Sequence, residues 1–441
     1  MKLRFALITT FYPPYSFGGD AIYVQNQAKA LVARGHSVDI LHSVDAYLAL
    51  GGNQPISPVT ENDGIRVFRL QSRLPTLSCL ATHQIGIPIE HRKKIKSMLH
   101  NNCYDVIHYH NISLVGGPAI LSYGNGIKLY TAHEHWLVCP THILWKNNKE
   151  ICKSKACIKC GITYRRPPQL WRYTRLLDRC AKHIDAFLAL SEHSANTHQN
   201  FGFSQKLVTF PSTAANLQKS AAKMDNNHLQ SRLYFLYVGR LEHIKGVQDI
   251  IPVFEHLPEA DLIIAGEGSL ATELKRAAKH LPNIKFIGKA SSGKLSELYR
   301  NAVSVIVPSR CIEVFPLVIL ESFREGTPVL VRDTGPLPDI IQQSSGGSIY
   351  SDADELLTSL KEMLINTALQ HSTGKKAYQA YKKYWSEQSV YTTYFSLLSK
   401  IAKERNHIHA LEVLSHCSQE GFVNKYRKNN VYSTMNSLNE K

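Results

Sequence analysis

Two glutamates eight residues apart, Glu313 and Glu321, stand in the stretch 302–328, AVSVIVPSRCIEVFPLVILESFREGTP. A carboxylate accepts hydroxyl hydrogen bonds well, so one of the pair can reach the ribose of a nucleotide-linked ligand while the other faces its reacting end. Glutamates at this spacing are common in helical chains, and the setting is what gives the pair weight. Val303, Val305, Ile306 and Val307 form a short apolar run ending at Pro308, the pattern of a strand buried on both faces of a parallel sheet. Ser309 to Phe315 reads as a loop. Pro316 is expected as the first residue of a helix, where its missing N–H costs nothing. Leu317, Leu320, Glu321 and Arg324 follow at helical spacing, and Gly326 stops the helix. A strand running into a loop and a helix start is an anion site, with the N–H groups of Leu317 and Val318 free and the helix dipole favouring negative charge. Glu321 lies roughly 7 Å along the axis from Pro316.

Cations appear where such an anion would need them. FLYVGRLEHIKG reads as a strand followed by Gly239, Arg240 and Lys245, and two cations at the C-terminal end of a strand suit a pyrophosphate. The alternative is plain solvated charge. The next strand, ADLIIAGEGSL, carries Gly266 and Gly268, which allow close approach of a base or ribose. Near the N-terminus a strand over Leu3 to Thr9 runs into FYPPYSFGGD, then a helix, then a strand over His36 to His42. Gly18 and Gly19 precede that helix, but the pattern is not G-x-G-x-x-G, so a nicotinamide cofactor is a weak reading. His133 ends a strand over Lys128 to Ala132, at the strand end where α/β sheets form ligand sites.

The stretch from Glu313 to Glu321, EVFPLVILE, resembles the E-x7-E signature of retaining glycosyltransferases of the GT-B architecture, family 4 type. The segment from Gly239 to Gly246 resembles that family's G-R-L-x3-K-G donor motif closely. The family often has Gly where this chain has Pro316, and Gly-Gly with a Glu where this chain has Gly335, Pro336 and Asp339, which therefore receive no roles. The resemblance spans most of residues 1 to 405. It implies an α/β chain of two doubly wound, Rossmann-like domains facing across a cleft, with a C-terminal helix crossing back to the first domain. It implies a nucleotide-diphosphate sugar donor held by Gly18, Gly19, Arg240, Lys245, Gly266, Phe315, Leu317, Val318 and Glu321, with Glu313 and His133 catalytic. The implied acceptor is a glycan or lipid-linked, and the implied setting is surface-polysaccharide assembly. No cofactor is expected for catalysis, and no Asp-x-Asp pair is expected to hold a metal at the donor.

Cys139, Cys152, Cys157 and Cys160 cluster in WLVCPTHILWKNNKEICKSKACIKCG. Four thiolates suit a tetrahedral structural zinc, although the first spacing is C-x12-C rather than a second knuckle. Unligated reduced thiols, an iron–sulfur cluster and disulfides are the alternatives. A similar cysteine-bearing insertion occurs in a subset of the family. The remaining five of nine cysteines show no pairing pattern.

The chain has 441 residues, enough for two domains, and 44% hydrophobic residues, which is ordinary for a globular protein. The expected division is 1–210, with the cysteine-rich insertion at 136–161, a linker at 211–231, a donor domain at 232–384, a crossover helix at 385–404 and a polar tail at 405–441. Residues 51–100 read as an irregular stretch followed by a basic segment, and Arg172 to Ala181 as a basic amphipathic helix. No apolar run reaches the length of about 18 residues that spans a membrane. The N-terminal apolar stretch is short and reads as a strand, so a cytoplasmic, reducing location is expected, peripheral on the inner membrane face. The formal charge of +16 admits nucleic acid, an anionic membrane surface or acidic substrates as partners. Its cations concentrate at His91 to Lys96, Arg165 to Arg179 and Lys375 to Lys383, without an Arg-rich arm. A membrane surface together with sugar-nucleotide phosphates is the preferred reading, and no nucleic acid is expected. The rivals are a GT-B sugar phosphorylase or nucleotide-sugar epimerase, a zinc-ribbon nucleic-acid binder and a catalytically dead scaffold.

Overall fold

Short apolar runs become strands along the whole chain. They are β1 (Arg4–Ile8), β2 (Ser37–Ser43), β3 (Ile65–Leu70), β4 (Val106–Tyr109), β5 (Ile127–Ala132), β6 (Trp145–Lys146), β7 (Glu150–Ile151), β8 (Ala186–Ala189) and β9 (Leu207–Thr209). They continue with β10 (Tyr234–Val238), β11 (Asp261–Ala265), β12 (Ile284–Gly288), β13 (Ser304–Val307), β14 (Val329–Arg332) and β15 (Gly347–Tyr350). This computed structural model describes residues 2–53, 64–213 and 232–419. One sheet runs β3-β2-β1-β4-β5-β8-β9 and the other β12-β11-β10-β13-β14-β15, with parallel pairing in both. Parallel neighbours need crossover connections, and the helices that make them cover both faces of each sheet. Leu3, Phe5 and Val38 face one core of the first sheet, while Ala6, Ile8 and Leu41 face the other. The second sheet alternates likewise, with Leu236 and Val305 on one side and Phe235 and Ile306 on the other.

Strand order reverses direction at β1/β4 and again at β10/β13. Such switch points open a crevice beyond the strand ends, and ligands of doubly wound sheets bind there. Gly18–Gly19 follows β1, Arg240 follows β10 and Glu313 follows β13. The topology therefore gathers these segments before any side chain is considered.

A final helix, Glu387–Glu404, returns to the first sheet. Its Val390, Tyr391, Tyr394, Phe395, Leu398, Ile401 and Ala402 are buried in the same core as Leu3 and Phe5. Glu387 at its start pairs with Arg34 at 2.8 Å.

Several elements differ from the sequence reading. The start of the tail at 405–441 is not a polar extension. Ile408–Gln419 is a helix, and its Ala410, Val413 and Leu414 recur at helical spacing and enter the first core. The stretch 51–100 holds β3 and the helices Pro75–Ile85 and Arg92–Asn101. Two arginines interrupt the apolar pattern of β3, and one of them, Arg66, is held by Asp39 on the neighbouring strand at 2.5–2.8 Å. The basic helix of 172–181 is split into a 3-10 turn, Leu170–Tyr173, and a helix, Leu176–Ala181. Thr174 between them is extended, and its hydroxyl accepts from the Leu176 N–H at 3.1 Å. Pro316 lies one position before the helix, which runs Leu317–Arg324. Most of the expected linker, 214–231, falls outside the described residues, as does 420–441 of the expected tail.

Candidate active site

Two close backbone approaches assemble the loops of the second domain. A Cβ at Gly246 would sit 1.9 Å from the Pro308 carbonyl oxygen, and one at Gly266 would sit 1.9 Å from that of Gly239. Only glycine permits either contact. The first draws the turn after β10 against the end of β13. Lys245 Nζ then donates to Glu313 Oε1 at 2.6 Å, and Ser309 Oγ donates to the same oxygen at 2.7 Å. Both members of the pair are mostly buried, with side chains 22% and 15% exposed. Burial alone would raise the Glu313 carboxyl, but the Lys245 ammonium and the Ser309 hydroxyl outweigh it and hold the group below its ordinary value. Burial would lower Lys245, and Glu313 overrides that, so its ammonium is raised.

This pair stands in a cavity of about 340 Å³ between the two sheets. That volume lies within the range of small-ligand pockets, roughly 300–1,000 Å³. The second domain lines it with Arg240, Lys245, Glu313, Phe315, Leu317 and Val318. The first domain faces these across the gap with Gly19, Asp20, Tyr23 and His133. Leu317 and Val318 open the helix, so their N–H groups lack intrahelical acceptors and complete an anion-binding wall. The Ser191 hydroxyl donates to the Val314 carbonyl at 3.0 Å, which ties the first domain to the loop carrying Glu313.

Glu321 faces a second, adjoining cavity, lined also by Ile22, Tyr23, Asn26, Gln27 and Tyr391. Gly19, Tyr23 and Leu317 line both spaces. The Tyr299 hydroxyl donates to Glu321 Oε2 at 2.7 Å and fixes the carboxylate plane. Burial raises the Glu321 carboxyl, with Tyr299 and Arg324 acting in the opposite direction. The two glutamates thus serve neighbouring compartments rather than one.

His133 leads into a row of rings. Its Nε2 lies 2.9 Å from His110 Nδ1, and His110 stacks on His108 with centroids 4.3 Å apart. Burial pushes His133 down to about 4, against an opposite pull from Glu134, so the ring is neutral at neutral pH. It can share a hydrogen bond but carries no charge. Tyr23 meets it edge-on at 4.7 Å.

Asp20, Tyr23 and Ser309 were not among the residues singled out in the sequence. Asp20 follows the glycine pair directly, which is a signal of position but not of charge state. Its carboxyl is raised by burial and by Glu134, while Asn111 Nδ2 donates to it at 3.2 Å. Gly18 and Gly266 lie outside both cavities. Gly18 precedes the helix Gly19–Ala33, and Gly266 serves the close approach to Gly239. The chain does contain one Asp-x-Asp spacing, Asp352 and Asp354, contrary to expectation. The Asp352 carboxylate caps the helix Ala353–Ile365, accepting from the N–H groups of Asp354 and Glu355 at 3.0 and 2.9 Å. The four clustered cysteines line a separate small cavity.

Two parallel-sheet domains facing across such a cleft, closed by a returning helix, define the GT-B class. Residues 17–212 match the profile of Glycosyltransferase Family 4, and residues 218–380 that of Glycosyl transferases group 1. The chain belongs to this family of glycosyltransferases. An uncharacterized glycosyltransferase of Methanocaldococcus jannaschii is 26% identical over 83% of this chain and 92% of its own length. Among solved structures, sucrose-phosphate synthase from Thermosynechococcus elongatus superposes with a TM-score of 0.70 at 19% identity, covering 91% of this chain and 100% of that one. HepE of Anabaena, in complex with UDP, superposes at 0.60 with 17% identity, covering 90% of this chain and 100% of that one. A free-standing zinc ribbon for nucleic acid is thereby set aside, because the cysteines lie within the stretch that matches the Family 4 profile.

Proposed function

We propose that this glycosyltransferase moves a sugar from a nucleotide-diphosphate donor to a glycan or lipid-linked acceptor with retention of anomeric configuration. The observation that carries the reading is the Lys245–Glu313 pair, held beside Arg240 and the helix start at Leu317 in one cavity that Asp20, Tyr23 and His133 close from the other domain. The UDP bound by the HepE neighbour supports a nucleoside-diphosphate donor.

In this mechanism Arg240, Lys245 and the N–H groups of Leu317 and Val318 take the negative charge that develops on the departing diphosphate. Glu313, kept ionised by Lys245, orients sugar hydroxyls and stabilises positive charge at the anomeric carbon. The carbon–oxygen bond to the diphosphate breaks as that to the acceptor hydroxyl forms, and the hydroxyl proton leaves on the diphosphate. A diphosphate needs no carboxylic acid to depart, so neither glutamate is assigned as one. Glu321 receives the ribose hydroxyls, with Tyr299 holding its second oxygen. His133 contributes a neutral hydrogen bond on the acceptor side.

An anionic membrane surface fits the first domain as the place where a lipid-linked acceptor is met. Leu74, Leu77, Ile85 and Ile89 are exposed on and beside the helix Pro75–Ile85, and the basic helix Arg92–Asn101 follows. Trp171 Nε1 donates to the His83 carbonyl at 3.1 Å, so the second basic segment packs on the same helix and adds exposed Leu170 and Tyr173. Among the described residues, no helix is long and apolar enough to cross a membrane. This setting agrees with a role in surface-polysaccharide assembly.

Product analysis with radiolabelled nucleotide sugars tests the reading. Label on an acceptor, with nucleoside diphosphate released and the donor's anomeric configuration kept, is expected. Free sugar phosphate would instead mark a phosphorylase, and an isomerised nucleotide sugar an epimerase.

A further inference from the structure

The cysteine-rich insertion carries chemistry that the transfer reaction does not use. Cys139, Cys152, Cys157 and Cys160 all line one cavity of about 20 Å³. A space of that size admits roughly one water-sized particle. Its other walls are Pro140, Thr141, Leu144, Trp145, Lys146 and Ala156, so the thiols are the principal soft donors facing it. Cys157 and Cys160 stand one turn apart on the helix Cys157–Thr163 and so share a face. Cys152 closes the hairpin of β6 and β7, its N–H bonded to the Leu144 carbonyl at 2.7 Å. Asn147, at the tip of that hairpin, points its N–H at the Cys160 sulfur, 3.5 Å away. Arg172, half-buried, donates to the Cys139 carbonyl at 3.4 Å. A positive charge there offsets the net negative charge of four thiolates around a divalent ion. Among the described residues, no group of three or more His, Cys, Asp or Glu side chains is already placed to hold a metal ion. Cys139, Cys152 and Cys160 instead make local hydrogen bonds to Thr141, Ser154 and Trp145, which binding an ion would replace.

The outer face of the same insertion reaches across the cleft. Ile143, Trp145 and Ile151, together with Tyr164 just after the insertion, pack with Ile244 and Cys311 of the second domain. The Tyr164 hydroxyl donates to the Trp145 carbonyl at 2.8 Å and braces that face from behind. The Ile244 carbonyl in turn accepts from the N–H groups of Arg310 and Cys311, at 2.9 and 3.3 Å. Ile244 precedes Lys245, and Cys311 stands two residues before Glu313. The apolar contact therefore sits on the backbone that presents the Lys245–Glu313 pair.

We propose that the four cysteines bind one zinc ion, and that the insertion it folds is a clasp holding the donor loops of the second domain in place. Zinc is the ion that fits, because it prefers four sulfur ligands in a tetrahedron and has no redox chemistry to impose. Uptake converts four thiols to thiolates and releases four protons to solvent. A small hairpin and a two-turn helix have too little core to hold this shape alone, and a metal supplies what they lack.

The test uses the full chain, purified without a metal-affinity tag, and begins with metal and thiol analysis. About one zinc per chain with all nine cysteines free of disulfides is expected. Then zinc is displaced with a mercurial and trapped by a chelating dye, and hydrogen exchange is followed by mass spectrometry. Peptides covering 143–151, 243–246 and 310–314 should lose protection together, while those of β1 and β4 keep theirs. Ile143→Ala, at a residue of the apolar contact that does not line the cysteine cavity, should keep the zinc yet lose protection at 243–246 and 310–314. These readouts do not depend on the sugar-transfer reaction. A chain without zinc, one holding iron with sulfide, or one whose cysteines are paired would overturn the metal site. Loss of protection confined to the insertion, in either arm, would overturn the clasp.

Discussion

Replacing Glu313 with glutamine keeps the shape of the side chain and removes its charge. The carboxylate accepts from Lys245 at 2.6 Å and Ser309 at 2.7 Å in a mostly buried setting. Glutamine can still accept through its amide oxygen, so the volume and the Ser309 contact survive. The loss is the counter-charge of a buried ammonium. Breaking a buried ion pair costs about 3–5 kcal/mol when fully desolvated, and the partial exposure of both side chains brings this nearer the bottom of that range. The ligand-free variant should therefore unfold at lower denaturant. A nucleoside diphosphate offers Lys245 a new anion, so donor affinity should hold or rise. Turnover should fall, because the charge at the anomeric carbon is no longer balanced, by ~2–4 kcal/mol of barrier, which is about 30- to 900-fold. The pH dependence has a definite sign. Glu313 is depressed in the fold, so its contribution is present above its unfolded value and is lost as pH falls through the folded one. Lys245 is raised, so its contribution is present below its unfolded value and is lost as pH rises through the folded one. Glu313→Gln should flatten the acid limb of the stability profile. Denaturant curves across pH, calorimetry with nucleoside diphosphate and steady-state rates measure all three. Full turnover in the variant, or a large loss of diphosphate affinity, would refute the reasoning.

Four further outcomes follow from the same site. Glu321→Ala should mainly weaken donor binding, and a 2′-deoxyribose donor should lose less affinity in that variant than in the wild type, since both changes remove the same hydrogen bonds; penalties that simply add would contradict this. His133 sits near 4 and stays neutral across the neutral range, so rate–pH profiles should show no inflection near 6–7 that disappears in His133→Asn. Transfer should persist in brief EDTA that leaves the zinc content unchanged, whereas loss restored by magnesium or manganese would place a metal at the donor. The protein should float with anionic liposomes at low salt and release at high salt, and Leu74→Ser with Leu77→Ser should weaken the association; equal recovery from neutral vesicles would exclude the charge term.

Much of the fold could be read directly, because strands buried on both faces leave continuous apolar runs such as FLYV and LIIA. The switch points follow from that order, and with them the neighbourhood of Arg240, Lys245 and Glu313. The contact between Lys245 and Glu313 is another matter. It depends on Gly246 lying against Pro308, a meeting of two loops 62 residues apart in the chain. Asp20 and Tyr23 gain their place from the approach of one domain to the other, which no local pattern encodes. β3 was hidden because Arg66 and Arg69 break its apolar run, and Arg66 is satisfied by a carboxylate on the adjacent strand. The helix Ile408–Gln419 was hidden because its three buried residues sit among polar ones. They join the same core as Leu3 and Phe5, four hundred residues earlier in the chain.

The most direct test is a thermal-shift and calorimetric screen of nucleotide-diphosphate sugars against the wild type and Lys245→Ala. A ligand that binds only the folded state stabilises it by about 2.7 kcal/mol at a hundred times its dissociation constant. At least one donor should raise the unfolding temperature of the wild type in a concentration-dependent way, and Lys245→Ala should lose most of that shift. No stabilisation by any nucleotide-diphosphate sugar, or an equal shift in both proteins, would contradict the assignment of this cavity as the donor site.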